Sequence, residues 1–207
     1  MSTIEYFYST HSAYAYLGSA RLMEIASTSG RRIVHRPIHL GPVIQAARGE
    51  RFSGFSGAHR AYFFGREIER WSEFRAAPAI NYRPTHHDND LSLSSGLIIA
   101  AVSIGQNADA LAHAILEAHW RDDADHADPG TLARLATAAG YDAGRLLELA
   151  SDPGIQAIFH ANTEEAVQRS VFGSPTYFVD GDMFYGQDRL ELVERALRTP
   201  FAGKWPR

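Results

Sequence analysis

The sequence lacks cysteine altogether among its 207 residues. This absence excludes disulfides, zinc sites built on thiolates, cysteine nucleophiles and CxxC redox chemistry carried by the chain itself. Chemistry at a sulfur atom would therefore need a thiol that a bound ligand supplies.

Basic blocks and long apolar runs are also missing. The formal net charge is −4 and no stretch is strongly basic, which disfavours a nucleic-acid-binding role. No run approaches the roughly 18 apolar residues that a membrane helix needs. The segment Met1–Ile4 has neither a basic n-region nor an apolar h-region, so we expect no secretory signal and a cytoplasmic protein.

What the sequence does contain is ample material for a core, with 45% apolar residues. Its length predicts one domain with a sizeable insertion, or two small domains. The chain opens with a β-α-β pattern: Ile4–Tyr8 is aromatic and β-prone, Tyr14–Thr28 has helical periodicity with Gly30 as its stop, and Arg32–Arg36 is a second strand. This order favours parallel strands joined by a right-handed crossover.

The end of the chain predicts a hairpin and a last helix. A turn at Gly173-Ser174-Pro175 leads into the strand Thr176–Val179, and Asp180-Gly181-Asp182 turns the chain back into Met183–Tyr185. Leu190–Leu197 follows as a helix. A proline just before a strand belongs to a tight turn, a strand start or an edge, and a cis bond there would turn the preceding backbone groups toward a ligand. An ordinary turn into a hairpin explains the same pattern equally well.

The segment between these two ends is mostly helical by pattern. Asp128-Pro129 and Asp152-Pro153 are typical helix starts. We therefore predict an α/β fold with a thioredoxin-like core, β-α-β … β-β-α, carrying a large all-helical insertion. The predicted division is residues 1–40 and 171–207 for the thioredoxin-like domain, and 41–170 for the helical insertion subdomain. In that arrangement the end of the first strand, the start of the first helix and the Pro175 turn meet at one sheet edge.

Two helix starts could bind a ligand. Ser12 lies at the start of the first helix, where unpaired N–H groups and the helix dipole favour an anion, and its hydroxyl could donate to a ligand thiolate. The alternative is that Ser12 is only a helix cap. The stretch Gly186-Gln187-Asp188-Arg189 could bind the carboxylate and ammonium of an amino-acid end group, or Asp188 could simply cap the last helix.

Three other patterns favour structural roles. The loops His86–Asp90 and Asp122–Asp128 resemble metal sites superficially, but their spacing fits solvated acidic loops better, and we predict no metal. The aromatic residues Phe63, Phe64 and Trp71 have helical spacing and favour core packing over a cofactor site.

Four segments carry a family resemblance in the same order: Tyr6–Leu17, Glu69–Trp71, Val171–Phe178 and Phe184–Leu190. Together they resemble 2-hydroxychromene-2-carboxylate isomerases, which are close to kappa-class glutathione transferases within the DsbA-like thioredoxin group. The resemblance implies a glutathione-dependent enzyme, usually a homodimer, that acts on a small aromatic substrate.

The resemblance also implies the site residues. Ser12 falls on the family's catalytic serine, which holds the glutathione sulfur, and Ser174, before a cis Pro175, falls on the residue whose backbone pairs with the cysteinyl part. Arg60 stands where the family has a lysine near the glutathione carboxylates. The stretch expected to hold the γ-glutamyl end is Tyr185, Gly186, Gln187 and Asp188. For the substrate pocket we expect His86 and Trp71.

The sequence departs from the family pattern in three places. The family's Ser-Pro is Ser12-Ala13 here, its asparagine has no clear equivalent in Phe52–Gly57, and Pro84–Asp88 differs. We expect a glutathione-dependent cis-trans isomerase of 2-hydroxychromene-2-carboxylate-type aromatic 2-oxo acids. The alternatives are a kappa-like glutathione transferase or peroxidase, a non-catalytic glutathione- or peptide-binding module and, more distantly, a metal-dependent hydrolase using His86 and Asp90.

Overall fold

Four strands form one mixed sheet in a computed structural model that describes residues 3–48, 54–79 and 83–203. The sheet order is β2-β1-β3-β4, in which β1 and β2 are parallel while β3 is antiparallel to both β1 and β4. This arrangement confirms the predicted thioredoxin-like core. The strands are β1 Thr3–Tyr8, β2 Arg32–Pro37, β3 Thr176–Val179 and β4 Asp182–Tyr185.

Helices surround the sheet, and most of them lie between β2 and β3, as the sequence predicts. A π-helical turn, Tyr62–Arg66, joins two of them, and a 3₁₀ turn, Gln187–Arg189, precedes the last. The described helices are α1 Ala13–Ser29, α2 Leu40–Arg48, α3 Gly57–Ala61, α4 Glu67–Arg75, α5 Ser92–Ser103, α6 Asp109–Arg121, α7 Pro129–Ala138, α8 Ala143–Ala150, α9 Pro153–Gln168 and α10 Leu190–Arg198.

Local signals set most of the helix and strand ends. The Asp128, Asp142 and Asp152 side chains cap α7, α8 and α9, and Gly30 ends α1 with a φ of 63°. At the hairpin, Asp180 and Gly181 both have positive φ, 49° and 88°, as a two-residue turn of this twist requires. Of the three aromatic residues with helical spacing, Phe63 and Phe64 lie in the π-helical turn, whereas Trp71 lies in α4.

The core covers both faces of the sheet because alternate side chains of β1 point to opposite faces. On one face Tyr6 stacks on Tyr177 at 5.3 Å between ring centroids, within a cluster that includes Ile98 and Leu116 of the intervening helices. On the other face Phe7 packs in a smaller cluster with residues of α2 and α9. The helices thus pack directly on the sheet. The division into subdomains at residues 40/41 and 170/171 remains a prediction.

Among the described residues, no helix is long and apolar enough to cross a membrane. The loop Phe52–Gly57, in which the family's asparagine has no clear equivalent, lies partly outside the described residues, since 49–53 are not described.

The close approach of α5 to α8 predicts a specific stability effect. A Cβ at Gly96 would lie 2.5 Å from the Ala150 carbonyl oxygen, whereas a Cβ at Gly144 would have 3.6 Å to its nearest neighbour, Asp142. We expect Gly96→Ala to lower the free energy of unfolding by about 1–3 kcal/mol through overpacking. The control, Gly144→Ala, should be neutral or raise it by about 0.5 kcal/mol through helix propensity.

Urea unfolding of the two variants and the wild-type protein, under one set of conditions, measures the difference. Equal stability of the two variants would contradict the described packing of α5 on α8.

Candidate active site

A cavity of about 840 Å³ opens where β1 ends and α1 begins. The turn before β3 closes it on one side, and the segment after β4 closes it on another. Its volume lies within the range of natural small-molecule sites, about 300–1,000 Å³. The cavity therefore lies at the sheet edge predicted from the sequence.

Ser12 and Ser174 meet at the floor of this cavity. The Ser12 hydroxyl accepts a hydrogen bond from the Ala15 backbone N–H at 3.2 Å and donates one to the Ser174 carbonyl oxygen at 3.3 Å. The Ser174 hydroxyl accepts from the Ser9 N–H at 3.0 Å, and the bond between Ser174 and Pro175 is cis. Ser12 is only 7% exposed and is the N-cap of α1. Ser12 thus caps α1 and lines the cavity at the same time.

Two aromatic side chains fasten the loop that carries Ser12. Trp120 of α6 donates its indole N–H to the His11 carbonyl oxygen at 3.0 Å. Tyr14, in the first turn of α1, donates its hydroxyl to the Phe63 carbonyl oxygen at 2.6 Å. These bonds hold the start of α1 against α6 on one side and the π-helical turn on the other.

The segment after β4 forms a second wall. Gly186 has a φ of 100°, donates its N–H to the Pro175 carbonyl oxygen at 2.9 Å, and has no room for a Cβ beside the Asp188 carboxylate. Gln187 is buried, and its Oε1 accepts from Arg75 Nε at 3.2 Å. Its Nε2 is also buried and has no hydrogen-bond partner among the described residues, so a donor remains at this wall.

Asp188 does not act as a helix cap. It pairs with Arg189, and the start of α10, which is described in full, has no side-chain capping bond. The alternative prediction, that Asp188 caps the last helix, is therefore wrong. Arg75 also binds Glu191 at 3.0 Å, which fixes this segment to α4.

The outer wall of the cavity is aromatic. The π-helical turn contributes Tyr62, Phe63 and Phe64, and α4 contributes Trp71. Phe64 and Trp71 also pack against the main core. The predicted packing role is thus confirmed for these two, and both line the cavity as well.

Charges of both signs surround the opening. Arg60, Arg83 and Arg189 contribute positive charge, and Glu67, Asp88 and Asp188 contribute negative charge. Arg83 pairs with Asp88, and Arg189 with Asp188. A ligand with carboxylate and ammonium groups finds a partner for each here.

The structure corrects one predicted pocket residue. Among the described residues lining the cavity is His87 and not His86, because consecutive side chains of this turn point to different sides. His86 points outward, with its Nδ1 3.6 Å from Asp125. His87 points inward, with its Nδ1 3.2 Å from His119 Nε2.

Four histidines form a connected cluster beside the cavity: His11, His87, His119 and His126. The ring of His87 stacks on that of His11 at 4.6 Å, and His119 Nδ1 lies 3.0 Å from His126 Nδ1. The expectation that Asp122–Asp128 is a solvated loop is wrong for His126, which is buried. Among the described residues, no group of three or more possible ligands has the arrangement of a metal site.

Burial keeps this cluster uncharged near neutral pH. Burial first, and then the neighbouring His87, His126 and His119, together lower the pKa of His11 to about 3. Burial, followed by the Arg83 charge, lowers the pKa of His87 to about 4. Burial and His126 lower the pKa of His119 to about 3. All three rings are therefore neutral imidazoles at pH 7.

The cavity is lined by eight of the residues predicted for the site: Ser12, Arg60, Trp71, Ser174, Tyr185, Gly186, Gln187 and Asp188. Pro175 is not among the described lining residues, although its cis bond orients Ser174. His11, His87 and Trp120, which were not predicted, also line the cavity, and Arg75 holds Gln187. The His86-His87 pair was a visible signal, but no local pattern indicates which of two adjacent histidines turns inward.

Comparisons with known proteins agree with this fold. A family model described as a DSBA-like thioredoxin domain matches residues 3–198. A 2-hydroxychromene-2-carboxylate isomerase from Sphingobium xenophagum is 29% identical over 197 residues, which cover 94% of this chain and 97% of that protein.

Two solved structures share the fold. One is a 2-hydroxychromene-2-carboxylate isomerase, with a TM-score of 0.74 and 22% identity, covering 95% of this chain and 94% of the other. The second is the cytosolic disulfide reductase DsbM from Pseudomonas aeruginosa with GSH, with a TM-score of 0.61 and 17% identity, covering 96% and 93%.

The neutral state of the histidine cluster predicts a pH dependence of stability. The folded-state pKa of His119, about 3, lies below its unfolded value of about 6.5, so its contribution is complete above pH 6.5 and is lost as the pH falls toward 3. Between pH 7.5 and 5, His119 alone should cost about 2 kcal/mol. We expect His119→Gln, which cannot titrate, to lose about that much less stability than the wild-type protein. Urea unfolding at both pH values measures this, and equal losses would mean that His119 is not held neutral.

Proposed function

The chain belongs to the DSBA-like thioredoxin domain family, and from that premise we propose that it is a glutathione-dependent isomerase of 2-hydroxychromene-2-carboxylate-type aromatic 2-oxo acids. One observation carries the proposal. The Ser12 hydroxyl lies at the start of α1, 3.3 Å from the carbonyl oxygen that precedes the cis proline, in a chain without any thiol. The similarity to proteins named 2-hydroxychromene-2-carboxylate isomerase supports the choice of reaction.

The start of α1 suits a bound thiolate. Its first turn, which is described in full, contains no acidic residue that would offset the helix dipole. Free N–H groups and the dipole at such a position lower the pKa of a thiol, from about 8.5 toward neutrality. The Ser12 hydroxyl can turn its hydrogen from the Ser174 carbonyl to a sulfur atom placed above it.

The walls suit the rest of the tripeptide. In this proposal the backbone of Ser174 pairs with the cysteinyl part of glutathione, and the segment Tyr185–Asp188 holds the γ-glutamyl end. The Asp188 carboxylate suits the ammonium group, and the buried Nε2 of Gln187 offers a donor at the same wall. Arg60 supplies positive charge for a carboxylate. When bound, glutathione supplies a thiolate that adds reversibly to a conjugated carbon of the substrate and so permits rotation about that bond.

The aromatic wall completes the proposed substrate site. Tyr62, Phe63 and Trp71 face the cavity and can cover the planar ring of an aromatic acid while excluding water. Positive charge at Arg83 lies at the same opening and suits the substrate carboxylate.

We also propose that the protein is a homodimer, on the strength of the family resemblance alone. Sedimentation at micromolar concentration tests this, and a single species of monomer mass contradicts it.

Removal of the Ser12 hydroxyl should slow catalysis strongly. We expect Ser12→Ala to lower kcat about 100-fold at saturating glutathione, since a donor aimed at developing charge contributes about 3 kcal/mol. The matched control is Ser29→Ala at the other end of α1, whose hydroxyl donates to the Ile25 and Ala26 carbonyl oxygens of its own helix. It should retain wild-type turnover. Absorbance assays of 2-hydroxychromene-2-carboxylate isomerisation measure both, and unchanged turnover of Ser12→Ala would remove Ser12 from the mechanism.

Turnover should require the thiol of glutathione. We expect no isomerisation without glutathione, and S-methylglutathione should bind competitively without supporting turnover, because its sulfur cannot ionise. Calorimetry measures the binding, and the absorbance assay measures the rate. Turnover without any thiol would contradict the proposal. Tight glutathione binding with no turnover of conjugated 2-oxo acids would favour a binding module, and chlorodinitrobenzene conjugation without isomerisation would favour a transferase.

A further inference from the structure

The hydrogen bonds of the histidine cluster determine where its protons lie. His119 Nδ1 is 3.2 Å from the Ala124 carbonyl oxygen, which can only accept, so Nδ1 carries the hydrogen. In a neutral ring, Nε2 of His119 is then an acceptor. His87 Nδ1, at 3.2 Å from that Nε2, must therefore carry a hydrogen and donate it.

The contacts of His126, the next histidine in this series of hydrogen bonds, agree with this assignment. His126 Nδ1 lies 3.0 Å from the protonated Nδ1 of His119 and accepts from it. His126 Nε2 then carries a hydrogen and donates to the Asn89 carbonyl oxygen at 3.4 Å. All these contacts can be made with three neutral rings if the one hydrogen on His119 Nδ1 is shared between the Ala124 carbonyl oxygen and His126 Nδ1. This arrangement leaves His87 Nε2 with an unshared electron pair.

The cavity is the place where that electron pair can act. His87 lines the cavity, whereas His119, which accepts the hydrogen bond from His87 Nδ1, is fully buried. The His87 ring is held by stacking on His11 at 4.6 Å and by the edge of Trp120 at 5.5 Å. A carboxylate at this position would repel an anionic substrate, but a neutral imidazole accepts a hydrogen bond without that cost.

From this geometry we propose that His87 is a catalytic residue whose Nε2 accepts a hydrogen bond from the hemiketal hydroxyl of the closed substrate, or from the phenol hydroxyl of the ring-opened form, and carries the proton between these two oxygens during ring opening. The inference rests on the proposed function and assigns a second chemical role to the same cavity. His119 and His126 are positioning residues, because they fix the tautomer of His87 and do not touch the substrate.

The proton transfer balances without any added reagent. A 2-hydroxychromene-2-carboxylate is a cyclic hemiketal. His87 Nε2 takes the proton of its hydroxyl group, the oxygen forms the carbonyl double bond, and the bond from that carbon to the ring oxygen breaks with its electron pair on the ring oxygen. The phenolate so formed takes the proton back from Nε2, and the imidazole is neutral again. Ring closure follows the same steps in reverse.

Ligand binding tests this role without turnover. The probes are o-hydroxybenzylidenepyruvate and benzylidenepyruvate, which lacks the hydroxyl, titrated by calorimetry in the absence of glutathione. We expect the wild-type protein to bind the hydroxylated ligand about tenfold more tightly or better. His87→Phe should reduce this ratio to about one while leaving the affinity for benzylidenepyruvate unchanged, which also shows that the cavity remains folded. His86→Phe, one residue away, should keep the wild-type ratio.

The positioning residues have their own test. His119→Leu should reduce the ratio, whereas His119→Gln, whose side-chain oxygen can replace Nε2 as an acceptor, should preserve it.

In turnover with glutathione, His87→Phe should lose activity on the cyclic hemiketal by about tenfold or more and retain it on cis-benzylidenepyruvate, which needs no ring opening.

Three outcomes would overturn the inference. Equal ratios in the wild-type protein and His87→Phe would show that His87 does not bind the hydroxyl, although the proposed function would stand. If His86→Phe and not His87→Phe abolished the preference for the hydroxylated ligand, the acceptor would be His86 and not His87. Failure of the wild-type protein both to bind and to turn over either ligand would overturn the proposed function, and this role of His87 with it.

Discussion

The antiparallel register of β1 against β3 is the constraint on which the site depends. It pairs Phe7 with Thr176, so the residues that follow β1 and those that precede β3 must lie side by side. The bond from Ser12 to the Ser174 carbonyl oxygen is a direct consequence of this register, although 162 positions separate the two residues. A shift of one residue would turn every side chain of β3 to the opposite face and separate the two serines.

The start of α1 is a positive site that no acidic residue of its own described first turn neutralises. Its described first turn has no acidic residue, and the sequence has no cysteine to supply a thiolate. Ser12 satisfies one N–H group through its bond with Ala15 but adds no charge. A helix start left in this state at the floor of a cavity favours an anionic ligand atom, and a sulfur is well suited to it because it is large and needs few hydrogen bonds.

Local signals made the strands, the capped helices and the Pro175 turn predictable, because each depends on a few adjacent residues such as Asp128-Pro129 or Asp180-Gly181. The parts of the site that come from the two ends of the chain, around Ser12 and around Ser174–Asp188, were also predictable, because family motifs cover them. The histidine cluster could not be predicted in the same way, because its members come from the β1–α1 loop, from α6 and from two separate loops. The π-helical turn at Tyr62–Arg66 was equally hidden, because its apolar spacing is still that of a helix.

Neutral imidazoles suit the cavity wall better than the other groups that could accept a proton. A carboxylate in place of His87 would add a second negative charge near Arg83, which already pairs with Asp88, and would repel an anionic substrate at this opening. A hydroxyl or amide could bind the substrate hydroxyl but could not take its proton. The chain from His87 through His119 to His126 ends on the Asn89 backbone, so no charged group need enter the cluster to fix its tautomers. The same burial that keeps these rings uncharged therefore also leaves His87 able to accept a proton in the cavity, which joins the stability of the fold to the chemistry of its cavity.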